Sequence, residues 1–312
     1  MANLYVASTG SNTSPYDTWA KAATAPLTAT AAAAAGDTIY MHGETFSITA
    51  DTTYSLAAGV RLICTNDKTN EPPQTLSTAG VIDGTGTAGV DILIGGSGTA
   101  VYIYGIKFRV GNGSNSGTIT VSSADNSSPT LDSCVLETAG SSSGNRIAFG
   151  DPLNLMNHLV RLKNTSLKFS TTSAYVRCAA QLFWNNSAIL ASGSTVPTNL
   201  VNDIQRGGGS GMDFIGCDFS GMTSGTVFST ATWTSPVPIT LRQCKLGAAT
   251  LHNALTLAGF EVTLYDCSTT DTHYQFAHYI YNGSTTISTS IYADDGAEYN
   301  LAGSKHSMVI AG

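Results

Sequence analysis

Residues 131–136 read Leu131-Asp132-Ser133-Cys134-Val135-Leu136, and this pattern recurs along the chain. An apolar residue is followed by two others, a small anchor, a variable residue and a second apolar residue. The copies are Ile103-Tyr-Gly-Ile106-Lys-Phe108, Leu162-Lys-Asn-Thr165-Ser-Leu167, Trp184-Asn-Asn-Ser187-Ala-Ile189, Phe214-Ile-Gly-Cys217-Asp-Phe219 and Leu241-Arg-Gln-Cys244-Lys-Leu246. A weaker copy, Leu264-Tyr-Asp-Cys267-Ser-Thr269, closes the series. Starting from Ile106, successive anchors stand 28, 31, 22, 30, 27 and 23 residues apart.

The residue ahead of each anchor is Gly105, Ser133, Asn164, Asn186, Gly216, Gln243 or Asp266. Gly, Asn and Asp tolerate a left-handed backbone, so the pattern predicts a sharp bend at this position. The anchor is Cys in four of the seven copies, as expected for a small, nearly apolar side chain turned inward at a bend. A strand-rich repeat of this length predicts a solenoid of parallel strands, because one coil cannot bury its apolar face alone and must stack at about 4.8 Å on its neighbours. Cys134, Thr165, Ser187, Cys217, Cys244 and Cys267 should then form one inward stack. Cα spacing alone permits a Cys217–Cys244 or Cys244–Cys267 disulfide. Side chains pointing the same way give poor geometry, so buried free thiols are expected.

Residues 1–58 read as a cap and first strand, and 59–312 as coils with a C-terminal capping segment. Within the cap, Thr18 to Ala23 and Leu27 to Ala35 are Ala-rich and read as helical, separated by Pro26. Gly36 stops that pattern, and Asp37 to Met41 reads as a strand.

Composition narrows the classes further. The chain has 312 residues, only 11% charged, but its 13 Tyr, 10 Phe and 3 Trp supply a core and argue against disorder. A net charge of −7 argues against nucleic acid as a partner. No apolar run approaches the 18 or so residues of a membrane-spanning helix. The opening Met-Ala-Asn-Leu-Tyr-Val lacks a basic region ahead of an apolar one, so no signal peptide is expected. Six cysteines without CxxC or His-rich spacing give no metal or cofactor expectation.

The repeat, together with the Ala-rich cap leading into Gly36-Asp37-Thr38-Ile39-Tyr40, resembles the right-handed parallel β-helix of the pectate-lyase-like superfamily. The resemblance implies an all-β, single-domain right-handed parallel β-helix with a short Ala-rich helical N-terminal cap. That superfamily includes lyases, hydrolases and virion proteins without enzymatic activity, so the resemblance specifies fold more sharply than function.

Stacking the coils places side chains beside one another. Asp132 meets Lys163, Arg242 meets Tyr265 and Asp218 meets Lys245 on neighbouring coils, which reads as surface ladders. Arg161, Lys163 and Lys168 form the one basic cluster, read as a solvated face or subunit contact. On an enzymatic reading Asp213, Asp218, Lys245 and Asp266 would carry catalysis. Asp218 and Asp266 stand two coils apart, roughly 10 Å by strand spacing, which is wide for paired-carboxylate hydrolysis.

The stretch 271–281 holds His273, Tyr274, Phe276, His278, Tyr279 and Tyr281, the densest aromatic and His patch. It reads as a terminal coil that caps the solenoid or docks a partner, with a glycan as a further ligand. The expected function is a structural virion protein of a tailed phage, a capsid decoration (cement) protein or short head or tail fibre acting by binding. Its partners would be capsid or tail proteins and copies of itself, as a trimer, and it would reach the virion by assembly in the host cytoplasm. The alternative is a polysaccharide-degrading tailspike, lyase or glycosidase on the same fold.

Overall fold

The computed structural model describes residues 1–95, 100–121, 128–150, 158–204, 211–229, 237–252, 260–270, 273–282 and 285–289. At 203, 252, 260–261, 273, 275–282 and 285–289 the description is of the backbone. The chain is a parallel β-helix whose coils contribute, in turn, to three sheets.

The first sheet runs Asn3–Val6, Thr38–His42, Arg61–Thr65, Ala100–Tyr104, Ser128–Asp132, Leu159–Lys163, Gln181–Asn185, Gly211–Ile215, Val237–Arg242 and Phe260–Ser268, all parallel. The second sheet, just after the bend, runs Thr45–Ser47, Gly80–Asp83, Ile106–Val110, Val135–Thr138 and Ser166–Phe169. Single-residue bridges extend it through Asp218, Lys245 and Ser268. The third sheet runs from Thr52–Ser55 to Thr250–His252.

Burial alternates along the strands, inward residues against outward ones, as in Gln181–Asn185, where Leu182 and Trp184 are buried. The inward residues of all three sheets merge into one core. At its centre Trp184 stacks on Phe214 with ring centroids 5.8 Å apart, and Phe149, Phe219 and Phe228 close around them.

All seven predicted bends are left-handed: φ is +74° at Gly105, +55° at Ser133, +47° at Asn164, +51° at Asn186, +63° at Gly216, +53° at Gln243 and +51° at Asp266. The anchors have a function beyond small size. A bend interrupts the ladder, and the anchor hydroxyl or thiol donates to carbonyls beside the interruption. Thr165 Oγ donates to Leu131 O and Lys163 O, both at 3.0 Å. Cys217 Sγ donates to Trp184 O at 3.1 Å, Cys244 to Phe214 O at 3.5 Å and Cys267 to Leu241 O at 3.3 Å. In each case the acceptor is the same position of the preceding coil. A small residue with a proton to give, Cys, Ser or Thr, satisfies buried carbonyls there. The six cysteines are free and buried. In the coil that begins at Arg61 the residue opposite the anchor Ile106 is Gly80, and the Cys64 sulfur fills the space its side chain would take, accepting the Gly80 N–H at 3.2 Å.

Three readings of the ends are corrected. Among the described residues the one helix is Pro26–Ala32; Thr18 to Ala23 forms turns, and the chain is extended again by Ala33. The cause is Asp37, whose carboxylate accepts the Ala34 and Ala2 N–H groups at 2.9 and 2.6 Å and pulls the chain into the sheet. The strand at 37–41 is not the first, because Asn3–Val6 precedes it in the same sheet. Finally, His273–Asn282 is not another coil. It pairs antiparallel with Phe260–Ser268, and Thr285–Thr289 pairs antiparallel in turn.

Candidate functional site

Outward-facing residues of the first two sheets hold the candidate chemistry. On the first sheet two columns run across the strands. One carries Tyr40, Ile63, Tyr104, Asp132, Lys163, Asn185, Ile215, Arg242 and Tyr265. In this column Lys163 Nζ lies 3.2 Å from Asp132, and the Arg242 guanidinium lies 5.6 Å from the Tyr265 ring centre.

The stacking of Asp132 on Lys163 was legible, but its surface character was not: Asp132 is only 5% exposed. Tyr102 Oη, Ser133 Oγ and Asn164 Nδ2 all donate to its carboxylate. Burial raises its pKa, yet the Ser133 and Tyr102 hydroxyls and Lys163 outweigh burial and hold it below the ordinary value. The Tyr102 phenol is pushed up to about 12 by burial and by its bond to this carboxylate.

The conditional catalytic residues are distributed rather than gathered. Asp213 belongs to a first-sheet strand and pairs with Arg242 Nε at 3.6 Å. Beyond the left-handed bend at Gly216, Asp218 lies on the continuation of the second sheet, 3.8 Å from Lys245 Nζ, and also accepts the Ser220 N–H at 2.7 Å. The bend therefore separates Asp213 from Asp218. Asp266 is the bend residue of its own coil and is exposed. Asp218 and Lys245 are brought together as read, and each is more than 40% exposed.

The second sheet holds a charge cluster that the repeat pattern did not reveal. Asp83, Arg109, Glu137 and Lys168 stand in register across four strands. Glu137, its side chain 5% exposed, receives Arg109 at 3.3 Å, Lys168 at 3.6 Å and Lys107 at 3.8 Å. Asp83 takes Arg109 from the other side at 3.1 Å. The basic cluster read at Arg161, Lys163 and Lys168 is thus divided between two sheets: Lys163 serves Asp132 and Lys168 serves Glu137. The missed signal was the residue three beyond the anchor, Arg109 and Glu137 on adjacent coils.

The proposed docking residues His273, Tyr274, Phe276, His278, Tyr279 and Tyr281 share one backbone strand, opposite Phe260 to Ser268. Positions 271–272 lie outside the described residues. Tyr274 is half-buried and packs on the end of the core. With Phe219, Val227, Leu246, Leu251 and Leu264 it lines a cavity of about 210 Å³. A second depression, about 130 Å³, lies on the first-sheet face beside Phe183, Gly211, Asp213 and Thr240. Among the described residues no group of three or more His, Cys, Asp or Glu converges as metal ligands.

No family model matches the chain, and neither does any curated protein or solved structure.

Proposed function

We propose that this chain is a rigid structural and binding component of a tailed-phage virion, a decoration protein or short fibre, built on a pectate-lyase-like β-helix. One observation carries the reading. The outward carboxylates Asp83, Asp132, Glu137, Asp213 and Asp218 each hold a cation from a neighbouring coil. Charge used to lock coil to coil favours a stiff body over an acid–base centre. Such a body works through its faces and ends, against shell or tail proteins and against copies of itself in a trimer. The test is co-sedimentation of purified chain with phage particles assembled without it. Saturable retention is expected. Absence of retention, with oligosaccharide released from host polysaccharide, overturns the proposal.

A second reading, a polysaccharide-degrading spike or lyase, draws on the depression beside Phe183 and Asp213. An aromatic face next to a carboxylate suits a sugar ring. Asp213→Asn would abolish polysaccharide release on that reading and leave particle binding unchanged on the first.

A further inference from the structure

Residues 8–22 form a closed excursion from the first sheet. The chain leaves after Val6 and returns at Ala23, which bridges to Val6. Ala7 N–H donates to Ala23 O, and Ala23 N–H to Tyr5 O, both at 2.9 Å. Joined ends with a self-packed interior define an Ω-loop. The loop lies across the outer face of the first two strands. Trp19 packs with its ring centre 4.7 Å from that of Tyr5 and edge-on to His42 at 6.3 Å, while Tyr5 stacks on Tyr40 at 5.8 Å. Together with Ala7 and Ala22 these residues form an apolar cluster separate from the solenoid core.

Two carboxylates tie the loop down. Glu44 accepts the Ser8 N–H at 2.7 Å and the Ser8 hydroxyl at 2.5 Å. It also lies 3.6 Å from His42 Nδ1 and 3.9 Å from Lys68 Nζ. Glu71 accepts the Trp19 N–H at 2.5 Å, and the Trp19 indole donates to Asn70 O at 3.1 Å.

We propose that residues 8–22 are an acid-released strap: closed at neutral pH, it lifts as pH falls and uncovers Tyr5 and Tyr40, the end of an outer column that continues through Ile63 and Tyr104. Glu44 is the anion between two nitrogen bases. As pH falls, His42 gains a proton against Trp19 and near Lys68. Once Glu44 is also protonated, two cations face each other without their counter-ion. Burial, then Lys68, holds the His42 pKa below its ordinary value, with Glu44 opposing. Burial raises that of Glu44, but both Ser8 bonds, Lys68 and His42 outweigh it and hold it low. Both folded values are depressed, so both contributions are present above the unfolded values and are lost as pH falls. The other charged groups at the strap are Glu71 and the exposed pair Asp17–Lys21, 3.0 Å apart. The Tyr5 phenol is pushed up to about 12, first by burial, and does not titrate in this range.

The test is 19F NMR of the full chain carrying 5-fluorotryptophan at Trp19, Trp184 and Trp233, with Trp19 assigned by Trp19→Phe. Acidification from about pH 8 should begin to move the Trp19 resonance toward its solvent-exposed position below about pH 6.5, as His42 protonates, and complete the move below about pH 4, as Glu44 protonates. The resonance of Trp184, in the core, should not move over the same range. Glu44→Gln should shift the Trp19 resonance toward the open position already at neutral pH, and His42→Gln should remove the upper part of the transition. Simultaneous movement of Trp19 and Trp184 in the wild-type chain would overturn the strap, as would a Glu44→Gln titration identical to wild type.

Discussion

Replacing Gln243 with glycine should stabilise the protein. Gln243 holds φ +53° with an exposed side chain. A non-glycine residue there costs about 1–2 kcal/mol. Glycine removes that cost but adds freedom to the unfolded chain, worth roughly 0.4–1 kcal/mol. The net gain is then about 0.5–1 kcal/mol. With an unfolding entropy of about 2.1 cal/mol/K per residue, the melting temperature should rise by about 1 °C. Asn164→Gly and Asn186→Gly should change it less, because Asn already tolerates the left-handed region. The opposite substitution is far more costly. A Cβ at Gly105 would run into the Ser77 carbonyl oxygen, and at Gly216 it would come within 2.6 Å of Asn186 Oδ1. Gly105→Ala should therefore destabilise by about 3 kcal/mol or more, since backbone must move. Differential scanning calorimetry of the four variants gives the ordering. A stable Gly105→Ala protein, or a Gln243→Gly protein that melts earlier than wild type, would refute the bend argument.

Three further outcomes follow from the coil geometry. Thr165→Val keeps the shape but strands Leu131 O and the Cys134 N–H, which donates to Thr165 Oγ1 at 3.2 Å, while Lys163 O keeps the Ser133 N–H at 2.9 Å. It should cost about 2 kcal/mol in urea denaturation. Glu137→Gln leaves Lys107, Arg109 and Lys168 facing a neutral amide and should cost about 1–2 kcal/mol, with the cations' partial exposure limiting the loss; the difference should shrink at high salt. Burial pushes the Cys134 and Cys178 thiols up to about 12, so about one in ten thousand is ionised at pH 8. Neither should react with a disulfide reagent until the chain unfolds, and fast native-state labelling of either would contradict its burial in the core.

The bends and the inward stack were legible because both follow from one residue's local chemistry. Only Gly and a few polar residues accept the left-handed turn, and Cys, Ser and Thr alone combine small size with a proton for the stranded carbonyls. Asp132–Lys163 and Asp218–Lys245 were legible because the anchors fix the register. The N-terminal strand was not legible: Asn3–Val6 is four residues long, and its partner in the sheet comes 35 positions later. Nor was the end of the helix, since alanine propensity carries no information about Asp37 gathering the Ala2 and Ala34 N–H groups. Glu137 escaped because the repeat was followed only one residue past the anchor. The strap depends on Trp19 meeting Glu71 across 52 positions, and no periodic signal encodes that contact.

The most direct test of the structural reading is immunogold electron microscopy of phage particles from the source culture, with antibody raised against the purified chain. The account predicts regular label on the particle, over the shell for a decoration protein or on a projecting appendage for a fibre. Particles without label, in a culture that expresses the chain, would contradict it.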